Sequence, residues 1–283
     1  FGSDRFCKGE LDPINVRAII IEDKEKNIMI ILSLDLLFIG DHLSKNINIE
    51  IKKKYNINLN NILILATHTH SAPKTCEQFL DGVKIEKKFF LEVIRCCLLA
   101  VSKAIKTKKK SKAELCEIQN FPALNRRLKV PWLLKFYPGY YKKKCINRPN
   151  RIEYTDKSCR AIKFCLSDNS FFWLLNGAAH CTIYNGKKIS SDYPGYIEKH
   201  ITNMYKDKKC KGLMFLQGWA GDQNSDVTKK IKINLNPFSV IEKIFIKELF
   251  NRSTDIQNLN NIGKIIATNI LKTKKKKILK LKK

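Results

Sequence analysis

Apolar positions along the chain predict strands first. In NVRAIIIEDKEKNIMIILSLDLL, two β-branched apolar stretches flank a charged turn, the pattern of a hairpin whose second strand ends at Asp35. CRAIKFCLSDNSFFWLLNGAAH is a second hairpin with SDNS at its turn, while NILILA, AELCEIQNF and GLMFLQ are single strands. Helical spacing marks residues 86–106, where Phe90, Val93, Ile94, Cys97, Leu98, Val101 and Ile105 share one face. DHLSKNINIEIKKKY predicts a short helix with Asp41 as N-cap, SSDYPGYIEKHITNMY a helix with Pro194 in its first turn, and NNIGKIIATNILKT a terminal helix. Residues 122–150, which hold four of the eight prolines and the triplet NRR, read as loop.

Strands alternating with helices predict an α/β fold, and the hairpins make its sheets mixed, with helices flanking them. No repeat of fixed period is present. A chain of 283 residues, 44% hydrophobic, suffices for one globular unit with its own core. No uncharged apolar run reaches membrane-spanning length, and no basic-then-apolar leader opens the sequence. A start at Phe1 and an end in KTKKKKILKLKK are expected of a piece of a longer reading frame.

The net charge of +28 belongs to lysines spread along the whole chain among many Ile and Asn residues. Clustered Lys and Arg would point to a polyanion. Spread lysines, with no recognition motif, basic helix or aromatic–basic platform, predict no specific nucleic-acid site and leave an anionic membrane surface as a partner. Ten cysteines follow no CxxC or regular spacing, and several sit inside apolar runs. That usage fits buried thiols in a reducing compartment, favours a cytoplasmic location and does not predict a thiolate zinc cluster.

Three of the apolar strands run into polar residues: NILILA into THTH, FFWLLN into GAAH, and LMFLQ into GWAGDQN. In open α/β sheets, sites gather beyond the carboxyl ends of strands. Two residues apart in an extended segment, His68 and His70 face one side. Imidazole is a zinc ligand, and a catalytic zinc takes about three protein ligands. HxH supplies two at most, and a hydrogen-bonded pair at a strand end is the alternative. His180, after a second apolar strand, is the third histidine in such a setting. HxHxDH and HExxH are absent: Ala72 and Pro73 stand where the first would need Asp and His.

In GWAGDQN, Asp222 and Asn224 either line a pocket edge, with Gly218 and Gly221 admitting a ligand to the backbone, or form an ordinary capped turn. In SSDYPG, Ser190, Ser191 or Asp192 caps the following helix, or Asp192 orients a metal-bound histidine. Asp35 and Asp222 are further candidates for supporting the ligands. Arg126 or Arg127 can bind a carbonyl or a developing oxyanion.

In this order, ATHTHSAP, NRR, NGAAH, SSDYPG and FLQGWAGDQN resemble the neutral and alkaline non-lysosomal ceramidases and their shorter bacterial relatives, over residues 10 to 272. The opening DPINVRAIIIEDKEKNIMIILSLDLL fits the start of their catalytic domain. The resemblance implies a partial catalytic domain over residues 1–272 and a basic lysine-rich tail over 273–283. It implies one Zn2+ per chain held by His68 and His180, with His70 beside the metal and Arg126 near the substrate carbonyl. The activity implied is hydrolysis of the N-acyl bond of ceramide or a related lipid-like substrate by metal-activated water. Asn224 stands where those ceramidases carry a serine, and an amide is no hydroxyl nucleophile. The family's remaining ligands, a glutamate and a tyrosine, come from a later segment, so this chain is expected to lack the C-terminal part of the domain. Two other readings stand beside the hydrolase: an inactive ceramidase-like remnant that binds surfaces through its lysines, and a basic nucleic-acid-binding protein.

Overall fold

A computed structural model of the chain describes residues 7–76, 85–137, 139–205, 209–231, 237–252, 254, 256–273 and 277–279. The first hairpin forms as its pattern predicts, β1 (Val16–Glu22) pairing antiparallel with β2 (Ile28–Leu34). Its turn is held by Asp23, whose Oδ1 accepts the backbone N–H groups of Glu25 and Asn27. The helix expected to be short, α1 (Asp41–Tyr55), runs fifteen residues and buries Leu43, Ile47 and Ile51, one per turn. Its cap is Gly40, and Asp41 is the first helical residue. A Cβ at Gly40 would stand 2.6 Å from that of Cys76, so a small residue is required there. The chain then forms β3 (Ile62–Ala66), parallel to β2, and α2 (Lys87–Lys106).

Onward run β4 (Ser111–Ile118), β5 (Ala123–Lys129), β6 (Cys145–Asn150), β7 (Cys159–Leu166), β8 (Phe171–Gly177), α3 (Tyr193–Met204) and β9 (Cys210–Gln217). The last elements are β10 (Gln223–Ser225), β11 (Thr228–Lys230), α4 (Pro237–Phe245), β12 (Glu248–Phe250), α5 (Gln257–Lys272) and β13 (Lys277–Leu279). One sheet has the order β1-β2-β3 and a second the order β13-β4-β7-β8-β9, in which only β8 and β9 are parallel. Smaller sheets are β10-β5-β6 and β11-β12.

The residues stack as helix, sheet, sheet, helix. Alternation along β2 sends Ile30, Leu32 and Leu34 toward α1 and α2, into one core with Leu43, Ile47, Val93 and Cys97. From the opposite face, Ile31 and Ile19 meet Phe164, Leu174 and Met214 of the second sheet. Ser33 ties the two sheets by donating its Oγ–H to the carbonyl of Phe215 at 2.6 Å. The outer face of the second sheet, with Trp173, Leu175 and Phe215, packs against Ile197 and Ile201 of α3 and Leu259, Ile262 and Ile266 of α5.

Residues 122–150 correct the loop expectation, since NRR lies inside β5 and CINRPN forms β6. Neither strand has a continuous apolar face, β6 contains Pro149, and the pair is bulged between Asn125 and Arg127. Backbone pairing at a polar rim leaves little hydrophobic signature. Within the expected lysine tail, Lys277–Leu279 pair antiparallel with β4, while 274–276 and 280–283 lie outside the described residues. All ten cysteines are free thiols, and Cys97, Cys116, Cys159, Cys181 and Cys210 are buried. Among the described residues no helix is long and apolar enough to cross a membrane.

Helices α3 and α5 cross on a glycine. A Cβ at Gly263 would lie 2.7 Å from the carbonyl carbon and the Cβ of Tyr196. Gly263→Ala gains about 1 kcal/mol of helix propensity but forces apart two backbones, an overpacking cost of about 1–3 kcal/mol. The variant is expected to melt a few degrees below the parent in a thermal scan; an unchanged or higher Tm would show that the helices separate freely.

Candidate metal centre

Four polar segments are laced together where the strands end. Just past β3, Thr67 and His68 donate to the carbonyls of Leu34 and Leu36, at 2.9 and 3.0 Å. His70 N–H donates to Cys181 at 3.2 Å, and Thr69 bridges Cys181. His180 N–H donates to the carbonyl of Gln223 at 3.1 Å, and Arg126 N–H to that of Asp222 at 2.7 Å. The segments THTH, AAHC and GDQN, beyond β3, β8 and β9, therefore form one patch with NRR of β5.

The three histidines converge, but not by strand alternation. His68 has φ 66, the left-handed region that a residue with a Cβ rarely occupies, so the backbone turns there instead of staying extended. The ring centroids of His68 and His180 are 4.7 Å apart, those of His68 and His70 5.0 Å, and those of His70 and His180 5.7 Å. One nitrogen from each lies within 4.8 Å of the others, and among the described residues this is the one cluster of its kind.

Backbone carbonyls set the tautomers of two rings. His68 Nδ1 lies 2.9 Å from the carbonyl oxygen of Leu37, and His180 Nδ1 lies 2.6 Å from that of Ala220 and 3.1 Å from that of Gln223. A carbonyl only accepts, so both Nδ1 atoms carry the proton and both Nε2 atoms keep a lone pair. Metal-bound histidines are commonly oriented this way. Burial keeps the rings neutral: it pushes His68 below its ordinary value, His180 down to about 4 with help from Arg126 and His68, and His70 down to about 2 with help from His68 and His180. Three neutral imidazoles, two with their outer N–H fixed, are a donor set that fits zinc.

Arg126 and Asn224 stand at the same place. The Arg126 guanidinium donates to the carbonyl of Gly221 from Nε and Nη2, at 3.2 and 2.9 Å, and meets Asn224 Oδ1 from Nη1 at 3.4 Å. Burial, with Arg127 and Arg252 adding to it, pulls Arg126 down to about 10 against the attraction of Asp222. Arg126 is the arginine whose charge bears on His68 and His180, while Arg127 donates to Gly221 at 3.2 Å. Asn224 is buried, bridges His180, and its Nδ2 has no hydrogen-bond partner among the described residues.

The three aspartates have other partners. Asp35 accepts from Arg17 and from the backbone N–H of Asn15, both at 2.9 Å. Asp192 caps α3, its Oδ1 accepting Tyr193 N–H at 2.8 Å and its Oδ2 accepting Tyr184 N–H at 3.0 Å. The carbonyl of Asp222 fixes Arg126, and its charge attracts the guanidinium. Of the two readings of SSDYPG, Asp192 takes that of the helix cap, and the atoms within reach of the His68 and His180 Nδ1 are the carbonyls of Leu37, Ala220 and Gln223. Arg252, just after β12, was not picked out by sequence reasoning; its charge reaches both His70 and Arg126.

No protein-family model matches the chain, and no curated protein sequence matches it. Among solved structures, a neutral ceramidase from Pseudomonas aeruginosa aligns with a TM-score of 0.63 and 18% identity, over 90% of this chain and 37% of its own. A ceramidase complexed with C2 aligns with a TM-score of 0.66 and 16% identity, over 94% of this chain and 42% of its own. The chain thus spans about two-fifths of either structure. At 16–18% identity the likeness is one of fold, and the chain adopts over at least 90% of its length the architecture of part of a neutral ceramidase.

Proposed function

We propose that the chain carries the metal-binding part of a ceramidase-type amide hydrolase. Its metal is zinc, one per chain, held by His68 and His180 through Nε2, and its substrate is ceramide or a related lipid-like N-acyl amide. The observation that supports this reading is the convergence of three neutral imidazoles from two separate strand ends within a ceramidase fold. Zinc bound there supplies a water of pKa about 7 and polarises an amide carbonyl.

The chain's own residues do the rest. Neutral His70 is suited to donate a hydrogen bond at the scissile amide or to relay a proton there. The Arg126 guanidinium and the Nδ2 amide of Asn224 are donors for the carbonyl oxygen as charge develops on it. With an asparagine at 224, these groups support attack by water and not formation of an acyl-enzyme on that side chain. A lipid substrate also makes an anionic membrane surface the partner that a chain of net charge +28 suits.

Zinc content tests the assignment. After dialysis against a weak chelator, the purified chain is expected to keep roughly one zinc, and His68→Ala and His180→Ala to keep almost none. Zinc kept equally by the parent and both variants would put the metal elsewhere, and none in the parent would show that this chain does not hold it; either ends this reading.

A further inference from the structure

The connection between β5 and β6 carries an aromatic and basic surface that the sequence pattern did not reveal. From Lys129 to Arg148 the chain has six Lys and Arg residues and no Asp or Glu. Trp132 is 67% exposed, Phe136 78% and Tyr141 67%, with Leu133 at 37%. This exposure does not come from a loose segment. Leu134, in the same turn as Trp132 and Phe136, is wholly buried in a core with Val130, Tyr140 and Ile246, and Tyr140 donates its hydroxyl to Glu242 of α4. The fold holds these aromatic rings in water on a fixed base.

We propose that residues 132–137 and 139–144 form a membrane-docking element for an anionic bilayer. Trp and Tyr rings settle at the headgroup level of a bilayer, with aliphatic and Phe side chains reaching past it. Lys135, Lys142, Lys143 and Lys144 lie in the same stretch and suit the negative surface of an anionic leaflet. Lys142 Nζ sits 5.3 Å over the Tyr141 ring, so charge and aromatic surface are presented together. At the base, an open cleft is lined by Tyr140, Lys143 and Arg148, and the exposed Lys143 offers a cation there to a headgroup phosphate. Trp132 and Phe136 stand edge to face, at 89° and 6.4 Å, beside an aliphatic Leu133. Such an arrangement offers no pair of parallel faces for stacking successive bases, which favours lipid over single-stranded nucleic acid. The proposal goes beyond the metal centre and does not depend on it.

The test is co-sedimentation of the full chain with phosphatidylcholine vesicles with and without phosphatidylserine, in the presence of a chelator, so that zinc plays no part. Binding is expected only with phosphatidylserine, and the triple variant Trp132→Ala, Phe136→Ala, Tyr141→Ala is expected to weaken it about tenfold or more. Replacing Lys142, Lys143 and Lys144 by Gln should weaken it comparably, whereas the same change at Lys52, Lys53 and Lys54, exposed on α1, should alter it less than about twofold. A Trp219→Phe background leaves Trp132 and buried Trp173 as reporters, and vesicles should shift Trp132 emission to the blue. Equal losses from both lysine triples, an unaffected aromatic triple, or no spectral shift would each overturn the proposal. So would tighter binding to a single-stranded RNA that the aromatic triple abolishes.

Discussion

Arg17→Met is expected to lower the unfolding free energy by about 3–5 kcal/mol, the cost of removing one partner from a buried ion pair. The guanidinium ties the first sheet to α3. From β1 it reaches Asp35, just past β2, at 2.9 Å, and Glu198 of α3 at 2.5 and 2.8 Å. Glu198 in turn accepts Leu213 N–H of β9 at 3.2 Å. The Asp35 side chain has no exposure, and its Oδ1 has no partner among the described residues. Burial pushes Asp35 above the carboxylate range, and Arg17 is the main force pulling it back. Burial pulls on Arg17 too, yet Asp35 and Glu198 together hold it above its ordinary value.

With methionine at 17 only the backbone N–H of Asn15 still opposes the burial of Asp35. Its folded pKa then lies further above the unfolded 3.8, so the native state binds the extra proton over the interval between the two. Asp35 is raised in the parent too, so the deficit of the variant opens as pH rises past the parent's folded value toward the variant's higher one, and narrows as pH falls back. Urea unfolding of both proteins at several pH values measures this. A deficit below about 1 kcal/mol at neutral pH, the size of an exposed pair, would show that Asp35 is solvated after all.

Much of this fold was legible because its strands and helices bury one face each. The β1/β2 and β7/β8 hairpins and the Phe90–Val101 face of α2 follow from periodicity alone. What escaped was held by other forces. Strands β5 and β6 are joined by backbone bonds among polar residues, and Arg252 is brought to the site by the three-residue pair β11 and β12, which carries no readable pattern. The site shows the same division. His68, His70 and His180 were visible as polar ends of apolar strands, but the turn at His68 and the carbonyls that fix the rings were not. Any residue type carries a carbonyl, so Leu37, Ala220 and Gln223 have no signature in the sequence.

His70→Ala separates the two jobs assigned to the three histidines. The backbone of His70 is fixed to Cys181, and its ring lies 5.0 and 5.7 Å from the centroids of the other two. Unlike His68 and His180, it is assigned to the substrate and not to the metal. Burial and its two neighbours pull it down to about 2, so the ring is neutral at any ordinary pH and, as a weak base, can relay a proton but not hold one. Positioned acid–base groups contribute about 10²–10⁴ in rate. The variant should therefore retain the zinc of the parent while kcat for hydrolysis of an N-acyl amide falls by about that factor, with a smaller change in KM. Addition of imidazole to the variant should restore part of the loss, as a group acting by proton transfer permits and a structural one does not. Loss of zinc along with activity would instead make His70 a third ligand, and the proton relay would then have to be sought among other groups at the same strand ends.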